Sequence, residues 1–159
     1  MRHLSGAALV LFMSLGGTRP EPSVPKEIQS VLDEYRGAME ARSVERLSKV
    51  VAPELVVVEG TGINVGWPDY RDHHIGPELQ EMRSFRYLEL RVIDAAVSGG
   101  SAHVVVQERL EIVEEKETVV LAAVESFVLR KTAQGWRLRL IHFSGKRVPA
   151  PAADAGAPR

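Results

Sequence analysis

The stretch that decides the fold runs from residue 85 to residue 113 and reads FRYLELRVIDAAV, SGGS, AHVVVQERLEIV. Two extended segments rich in apolar and β-branched residues flank a Gly-Gly turn, which is the pattern of a long β-hairpin. Two more segments of this kind follow at 117–131 and 135–147, after short polar turns. Flat strands of about 12 residues are uncommon, so the four segments predict a strongly curved antiparallel meander.

The residues before the meander are typical of helices. Between residues 26 and 42, apolar side chains recur at spacings of three and four, which predicts an amphipathic helix. Ser43 can cap a second helix through Val51, which Pro53 would end. Helices followed by a meander predict an α+β fold, in which the N-terminal helices pack on a strongly curved, mainly antiparallel sheet.

A short β and helix region separates these two halves. Residues 55–59 and 63–65 flank a Gly-Thr-Gly turn and are predicted to pair as a hairpin. A helix is predicted from Trp67 to His74, because Pro68 suits a first helical turn. The Gly76-Pro77 pair is expected to break that helix.

Both ends of the chain differ from the domain between them. Residues 1–17 combine a basic start, a short apolar run and small residues, as in a secretory signal peptide. Residues 18–25 are proline-rich and are expected to be a linker, and residues 149–159 (PAPAADAGAPR) a disordered tail. The folded domain is therefore predicted over 26–148. The expected location is periplasmic or secreted, without a membrane anchor in the mature form.

Composition excludes several classes of function. The net charge is −1, and no run of basic residues suggests a nucleic-acid partner. The chain has no cysteine, which excludes disulfides, thiolate zinc sites and a cysteine nucleophile. Neither a phosphate-binding glycine loop nor a dinucleotide fingerprint occurs. No cofactor is predicted.

Polar groups concentrate in residues 59–74, EGTGINVGWPDYRDHH. On a helix, Asp69 and His73 share one face and Tyr70 and His74 another, since each pair is four residues apart. Adjacent histidines diverge by about 100°, so only one of them can face a pocket. The Asp69–His73 pair has the spacing of a base and its orienting group. The alternative is a polar lid held by local hydrogen bonds.

Three ionisable residues fall on otherwise apolar strand faces when side chains alternate regularly: Glu108, Glu125 and His142, the last with Ser144. A carboxylate there must be paired, or burial raises its pKa. Raised carboxyls near an imidazole suit general acid–base chemistry. Alternatively, the face is a subunit interface where the glutamates pair with arginines, and His142 is held by Ser144 or a carbonyl.

A metal site is a further alternative. Glu59, either His73 or His74, and His142 could supply ligands, but their spacing matches no metalloenzyme signature. The sequence therefore predicts no metal.

Five segments carry a resemblance to a known family: Tyr35-Arg-x-Ala-Met39, Val57-Val-Glu59, Gly66-Trp-x-Asp-Tyr-Arg-Asp-His-His74, Gly135-Trp-Arg-Leu138 and His142-Phe-Ser144. Over 26–147 the chain resembles the nuclear transport factor 2-like superfamily, and within it the SnoaL-like (ketosteroid-isomerase-like) branch. The resemblance implies a cone-shaped fold around a pocket and a homodimer through the outer sheet face. Relatives tend to carry His-x-His-aromatic-Ser on the last strand, whereas Leu140 replaces the first of those histidines here.

The resemblance and the residues together predict an exported protein with a pocket for an apolar small molecule. As an enzyme it would be a cofactor-independent isomerase, cyclase or dehydratase acting on a carbonyl-type substrate. The alternatives are a non-catalytic ligand-binding or dimerisation module and a metal-binding protein. The predicted catalytic residues are His73 or His74 as base, Asp69 as its orienting group, Tyr70 as oxyanion donor, and His142 with Glu125; the predicted ligand contacts are Glu59, Trp67, Glu108 and Trp136.

Overall fold

The computed structural model describes residues 22–150, and its helices and strands lie between Lys26 and Arg147. The signal peptide predicted over 1–17 lies outside the described residues, as do residues 18–21 of the linker and 151–159 of the tail. Within residues 22–150, no helix is long and apolar enough to cross a membrane.

The architecture is α+β, as predicted. The helices are α1 (Lys26–Glu40), α2 (Val44–Ser48), α3 (Trp67–Tyr70) and α4 (Gly76–Glu81), with a π-helical turn at Arg71–Ile75 between the last two. The strands are β1 (Val51–Glu59), β2 (Gly62–Val65), β3 (Ser84–Ser98), β4 (Ser101–Val113), β5 (Thr118–Thr132) and β6 (Gly135–Arg147). They form one sheet in the order β2-β1-β6-β5-β4-β3. Every pair is antiparallel except β1 with β6.

Helix α1 supplies the wall opposite the sheet. Its buried stripe consists of Ile28, Leu32, Tyr35, Ala38 and Met39. This stripe packs against β3 and β6, and the core continues through residues such as Leu138 of β6 and Phe127 of β5. Removing this much apolar surface from water is what stabilises a domain that has no disulfide.

The second helix is shorter than predicted. The Ser43 hydroxyl caps it by accepting a hydrogen bond from the Arg46 backbone N–H at 3.2 Å. The helix ends at Ser48, and Pro53 lies inside β1 instead of ending a helix. Proline is tolerated there because the register between β1 and β6 shifts between Val51 and Val56.

The predicted meander and hairpin are confirmed. The strand boundaries of β3 to β6 agree with the sequence to within a residue, and β1 pairs with β2 in a hairpin that places Val58 opposite Ile63. The curvature has a structural cause, since the β3–β4 ladder is interrupted twice, at Tyr87/Glu89 and at Val92/Asp94. Such bulges bend and twist long strands.

The prediction that Gly76-Pro77 breaks the helix is wrong. Helix α3 continues through the π-helical turn into α4, which starts at these two residues. The wider turn accommodates the proline, which cannot continue a regular α-helical hydrogen-bond ladder. It also brings the backbone so close at Gly76 that a Cβ atom there would lie 2.2 Å from the Arg71 carbonyl oxygen. Only glycine fits this position without a backbone shift.

Candidate functional site: a carboxyl pair in an aromatic cavity

A cavity of about 80 Å³, partly open to solvent, lies between α1, the α3–α4 helix and the inner face of the sheet. Its wall is mainly apolar, with two kinds of functional side chain. The aromatic rings are Tyr35, Tyr70, Phe85, Tyr87 and Phe143, and the carboxyl groups are Glu59, Glu78, Glu108 and Glu125. Such a mixture of apolar wall and few polar groups is typical of small-molecule sites.

The two deepest carboxyl groups come from neighbouring strands. Glu108 on β4 is 2% exposed and Glu125 on β5 is 3% exposed. Glu125 lies opposite Val106, and Glu108 lies opposite Ala123, so the two glutamates are diagonal neighbours on one sheet face. The β4–β5 ladder has no bulge, so regular alternation holds and the predicted inward orientation of both side chains is confirmed.

This pair must hold a proton. The Tyr35 Oη donates a hydrogen bond to the Glu125 Oε1 at 3.0 Å. Neither Glu108 oxygen receives an N–H or O–H donor from the described residues. A carboxyl–carboxylate hydrogen bond between the two glutamates can satisfy one of these oxygens, provided that one carboxyl is protonated. Two adjacent buried carboxylates would otherwise repel each other without compensation.

The proton resides mainly on Glu125. Burial raises the pKa of Glu125 well above its usual range, and the negative charge of Glu108 raises it further. Burial also raises the pKa of Glu108, to about 7, while the nearby Arg36 guanidinium opposes this increase. Near neutral pH, Glu125 is therefore a neutral acid, and Glu108 exchanges between its acid and base forms.

Three tyrosines line the cavity with the pair, and Tyr35 among them donates to Glu125. Burial raises the pKa of Tyr35, Tyr70 and Tyr87, and the charge of Glu125 adds to the increase for each of them. Their hydroxyl groups therefore stay protonated around neutral pH. An O–H group in a site of low polarity is a stronger partner for a developing negative charge than one in water.

Of the two adjacent histidines, His74 is the one near the cavity, where it contacts two residues of the wall without lining it. Its Nδ1 is 2.8 Å from the Asn64 Oδ1, and its Nε2 is 3.3 Å from the Glu59 Oε2 and 3.2 Å from the Glu78 Oε1. Its ring packs edge-on against Tyr70, with 5.1 Å between centroids. The imidazole thus joins the β1–β2 hairpin to α4 at the cavity rim.

The Asp69–His73 pair forms but lies outside the cavity. The His73 Nδ1 is 3.2 Å from the Asp69 Oδ1, yet the His73 side chain is 74% exposed. The other Asp69 oxygen accepts hydrogen bonds from the Asn64 side chain at 2.9 Å and the Val65 backbone at 3.2 Å. This pair therefore holds the lid formed by residues 59–74 through local hydrogen bonds, which is the alternative that the sequence left open, and His73 is not a residue of the cavity.

The predicted orientation of His142 is also wrong. Leu138 and Leu140 of β6 pair with the consecutive residues Leu129 and Val128 of β5, so Arg139 is an extra residue in a β-bulge. The bulge shifts the alternation by one position. Ile141 and Phe143 consequently line the cavity, while His142 and Ser144 are exposed on the other side.

The two predicted aromatic contacts are buried elsewhere. Trp136 is 7% exposed, and its Nε1 donates to the Glu27 Oε2 at 3.0 Å. Trp67 is 9% exposed and packs near Tyr70, with 6.3 Å between ring centroids. Neither tryptophan belongs to the cavity wall. Both are part of the hydrophobic core.

Three polar wall residues were not predicted as site residues: Tyr35, Glu78 and Tyr87. Tyr35 lies in the apolar stripe of α1, where a hydroxyl among aliphatic residues is the available sequence signal. Nothing in the sequence distinguishes Glu78 from other helical glutamates. Within residues 22–150, no group of three or more His, Asp or Glu side chains is arranged to hold a metal ion.

The chain is similar to known proteins both in sequence and in structure. The family model of the SnoaL-like domain matches residues 28–151. A nuclear transport factor 2-like superfamily protein from Salmonella enterica serovar Typhimurium LT2 is structurally similar, with a TM-score of 0.67 and 19% identity over 83% of this chain and 95% of that one. A comparison with curated proteins found no match.

Two further solved structures share the fold. A protein from Shewanella frigidimarina, suggested to be a ketosteroid isomerase, has a TM-score of 0.61 and 16% identity over 75% of this chain and 95% of that one. A type 2 hexachlorocyclohexane dehydrochlorinase has a TM-score of 0.64 and 17% identity over 83% of this chain and 92% of that one. At these identities the similarity establishes the fold alone.

Proposed function

Because the chain belongs to the SnoaL-like domain family, we propose that its cavity is the active site of a cofactor-independent acid–base enzyme. The reaction class is isomerisation, cyclisation or dehydration of a small, mainly apolar molecule, initiated by removal of a proton beside a carbonyl group. The single observation that carries this proposal is the buried Glu108–Glu125 pair in the cavity wall. Burying two carboxyl groups without a direct ion pair is costly for the fold even with the Arg36 guanidinium nearby, and such costs are concentrated at functional sites.

The geometry divides the roles between the residues. Deprotonated Glu108 is the base, because one of its oxygens stays without a protein partner even when Glu125 donates to the other. Neutral Glu125, which accepts from Tyr35, holds Glu108 in place. Tyr70 and Tyr87 are the O–H donors of the wall for the oxyanion that forms when the substrate loses a proton. The proton on Glu108 then returns to another carbon of the substrate.

The role predicted for His74 changes in this scheme. Its Nε2 is directed at Glu59 and Glu78, and its Nδ1 is directed at Asn64. We therefore assign His74 to the mouth of the cavity, where it positions the lid, and we assign the base role to Glu108.

Two further proposals concern location and assembly. The signal peptide predicted over 1–17 supports export, and the half-exposed aliphatic side chains Val105, Ala122 and Val124 on the outer face of β4 and β5 support a homodimer. Mass spectrometry of the exported chain should show a mature N-terminus after residue 16, 17 or 18. Light scattering of that protein should give twice the chain mass. A retained Met1 contradicts the first proposal, and a monomer at high concentration contradicts the second.

The conversion of 3-cyclohexen-1-one to 2-cyclohexen-1-one tests the proposed activity. This ketone is compact and apolar, and the reaction moves one proton from the carbon beside the carbonyl to the far end of the double bond. Wild-type protein should accelerate the formation of the conjugated product, measured by ultraviolet absorbance, above the buffer rate. In D₂O, deuterium should enter the product. A rate equal to that of heat-denatured protein would contradict the enzyme proposal and favour a binding module.

A further inference from the structure

The charges of the cavity wall constrain the molecule that it takes. Among the described residues that line the cavity, four are glutamates and none is Lys, Arg or His. Charges in a partly buried site interact more strongly than in water, because the surroundings screen them less. Glu125 is neutral near neutral pH, and His74 and Arg36 lie close to the other carboxyl groups without lining the cavity. The wall itself therefore presents acidic groups and no basic one, which favours a cationic ligand over an anionic one.

The rim of the cavity offers two carboxylates that converge. The side chains of Glu59 and Glu78 are 44% and 47% exposed, which places them nearer solvent than the deep pair. One oxygen of each lies within 3.3 Å of the same atom, the Nε2 of His74. The two carboxylates thus converge on the His74 Nε2, and both residues also line the cavity.

A second observation, independent of the acidic rim, points to a ligand. Glu108 is 2% exposed and lines the cavity, and neither of its oxygens has a donor among the described residues. The proton shared with Glu125 satisfies one oxygen at most. The other is a buried acceptor on a residue of the cavity wall, and an N–H group or the methyl groups of a quaternary ammonium ion would complement it.

The aromatic wall suits the same chemistry. Five aromatic rings line the cavity, among them Tyr87 and Tyr70, whose ring packs against His74 beside the rim. The face of an aromatic ring attracts a cation, and the attraction strengthens as the cation is desolvated. Carboxylates combined with several rings form the kind of cage that recognises ammonium groups.

We infer that the cavity takes a small ligand that carries an ammonium group, held toward Glu59 and Glu78 at the rim and between the tyrosine rings. The inference rests on the proposed function, since it specifies the substrate class of the same cavity. Burial raises the pKa of Glu78, the neighbouring His74 opposes this increase, and the charge of Glu59 adds to it. A bound cation would offset both unfavourable contributions.

Three probes of one shape test the inference: benzyltrimethylammonium, its uncharged carbon isostere neopentylbenzene, and the anion benzylsulfonate. Affinity for the wild-type protein is measured by calorimetry or NMR titration. The cation should bind at least 10-fold more tightly than the isostere, and the anion most weakly. Equal affinity of cation and isostere, tighter binding of the anion, or binding of none of the three would overturn the inference.

Two variants test whether Glu59 and Glu78 cause the tighter binding of the cation. The double variant Glu59→Gln/Glu78→Gln should lose at least 10-fold in affinity for the cation and leave the affinity for the isostere unchanged, which also shows that the cavity is intact. The matched control is Glu81→Gln, an exposed glutamate of the same helix that does not line the cavity. It should retain the preference for the cation. An equal loss in the control would contradict the placement at the rim.

The acid–base enzyme and the preference for an ammonium ligand would be contradicted by different results. Glu108-dependent isomerisation of 3-cyclohexen-1-one without preference for the cation would remove this inference and keep the acid–base enzyme. Preferential binding of the cation without any isomerisation would do the reverse.

Discussion

The Glu108→Gln variant is expected to convert 3-cyclohexen-1-one about 10² to 10⁴ times more slowly than the wild-type protein, the usual contribution of a positioned general base. Glutamine has the size of glutamate and can still hydrogen-bond to Glu125, but its amide cannot accept the proton. The substitution therefore removes the general base and preserves the packing of the site. Ultraviolet absorbance of the conjugated ketone measures both rates.

The pH dependence of the wild-type rate provides a second signature of the same residue. Only deprotonated Glu108 can act as the base, and burial places its pKa at about 7. The value of kcat/KM should therefore rise with pH through about 7 and level off above it. The residual rate of Glu108→Gln should lack this rise.

The control for this comparison is Glu115→Gln. The Glu115 side chain is 79% exposed in the turn after β4 and lies 3.9 Å from the Arg83 guanidinium. This variant should match the wild type in rate and in pH profile. Equal rates for wild type and a folded Glu108→Gln protein, or a rate that falls as pH rises through 7, would contradict the base role.

The second large effect concerns stability. The free energy of unfolding should fall as pH rises from about 4.5 through about 7. In the unfolded chain the two glutamates ionise near their ordinary pKa, whereas in the folded protein burial holds both pKa values higher. Over this range the unfolded state releases protons that the folded state retains, so unfolding becomes more favourable. Glu108 alone corresponds to a loss of about 3 kcal/mol.

Other carboxyl groups do not mask this trend. Arginine partners lower the pKa of Glu34, Asp72 and Glu117, and hydrogen bonds from Asn64 and neighbouring groups lower that of Asp69. The stability that these four groups contribute is present above their ordinary pKa and is lost only as pH falls below it. Their effects therefore appear in acid, separate from the range in which Glu108 and Glu125 act.

Urea denaturation at pH 5 and pH 8 measures the effect, and Glu125→Gln identifies its source. A glutamine at this position can accept from Tyr35 through its oxygen and donate to Glu108 through its nitrogen, so the hydrogen bonds persist without the titrating proton. The variant should be more stable than wild type at pH 8 and should depend less on pH. Glu115→Gln should follow the wild type. An unchanged pH dependence in a Glu108→Gln/Glu125→Gln double variant would contradict the explanation.

The fold was largely predictable because its signals are local. Hydrophobic spacing identified α1, and the alternation and turns identified β3 to β6. The same alternation placed Glu108 and Glu125 in the interior, since their two strands pair without interruption. The sequence predicted that each glutamate lies on an otherwise apolar strand face. It did not predict that the two side chains meet, because this depends on the register between the strands.

The rest of the site depends on contacts between distant segments. Tyr35 and Glu125 are 90 positions apart, and nothing near Tyr35 indicates that its hydroxyl meets a carboxyl group. The orientation of His142 depends on the extra residue in β6, which regular alternation cannot represent. The π-helical turn similarly results from how the helix fits the sheet. The sequence pattern alone therefore predicts a helix break at Gly76-Pro77 where the helix continues.

The extra residue in β6 also determines where this strand can change length. A chain that lacked Arg139 would pair regularly and would still direct Ile141 and Phe143 inward, because the remaining residues keep their parity. A chain that lacked Ile141 instead would rotate the end of the strand by one step and bring His142 to the cavity wall. A deletion at residue 139 thus leaves the aliphatic wall unchanged, whereas a deletion at residue 141 brings an imidazole into it. This is a route by which a relative could acquire different chemistry without any substitution.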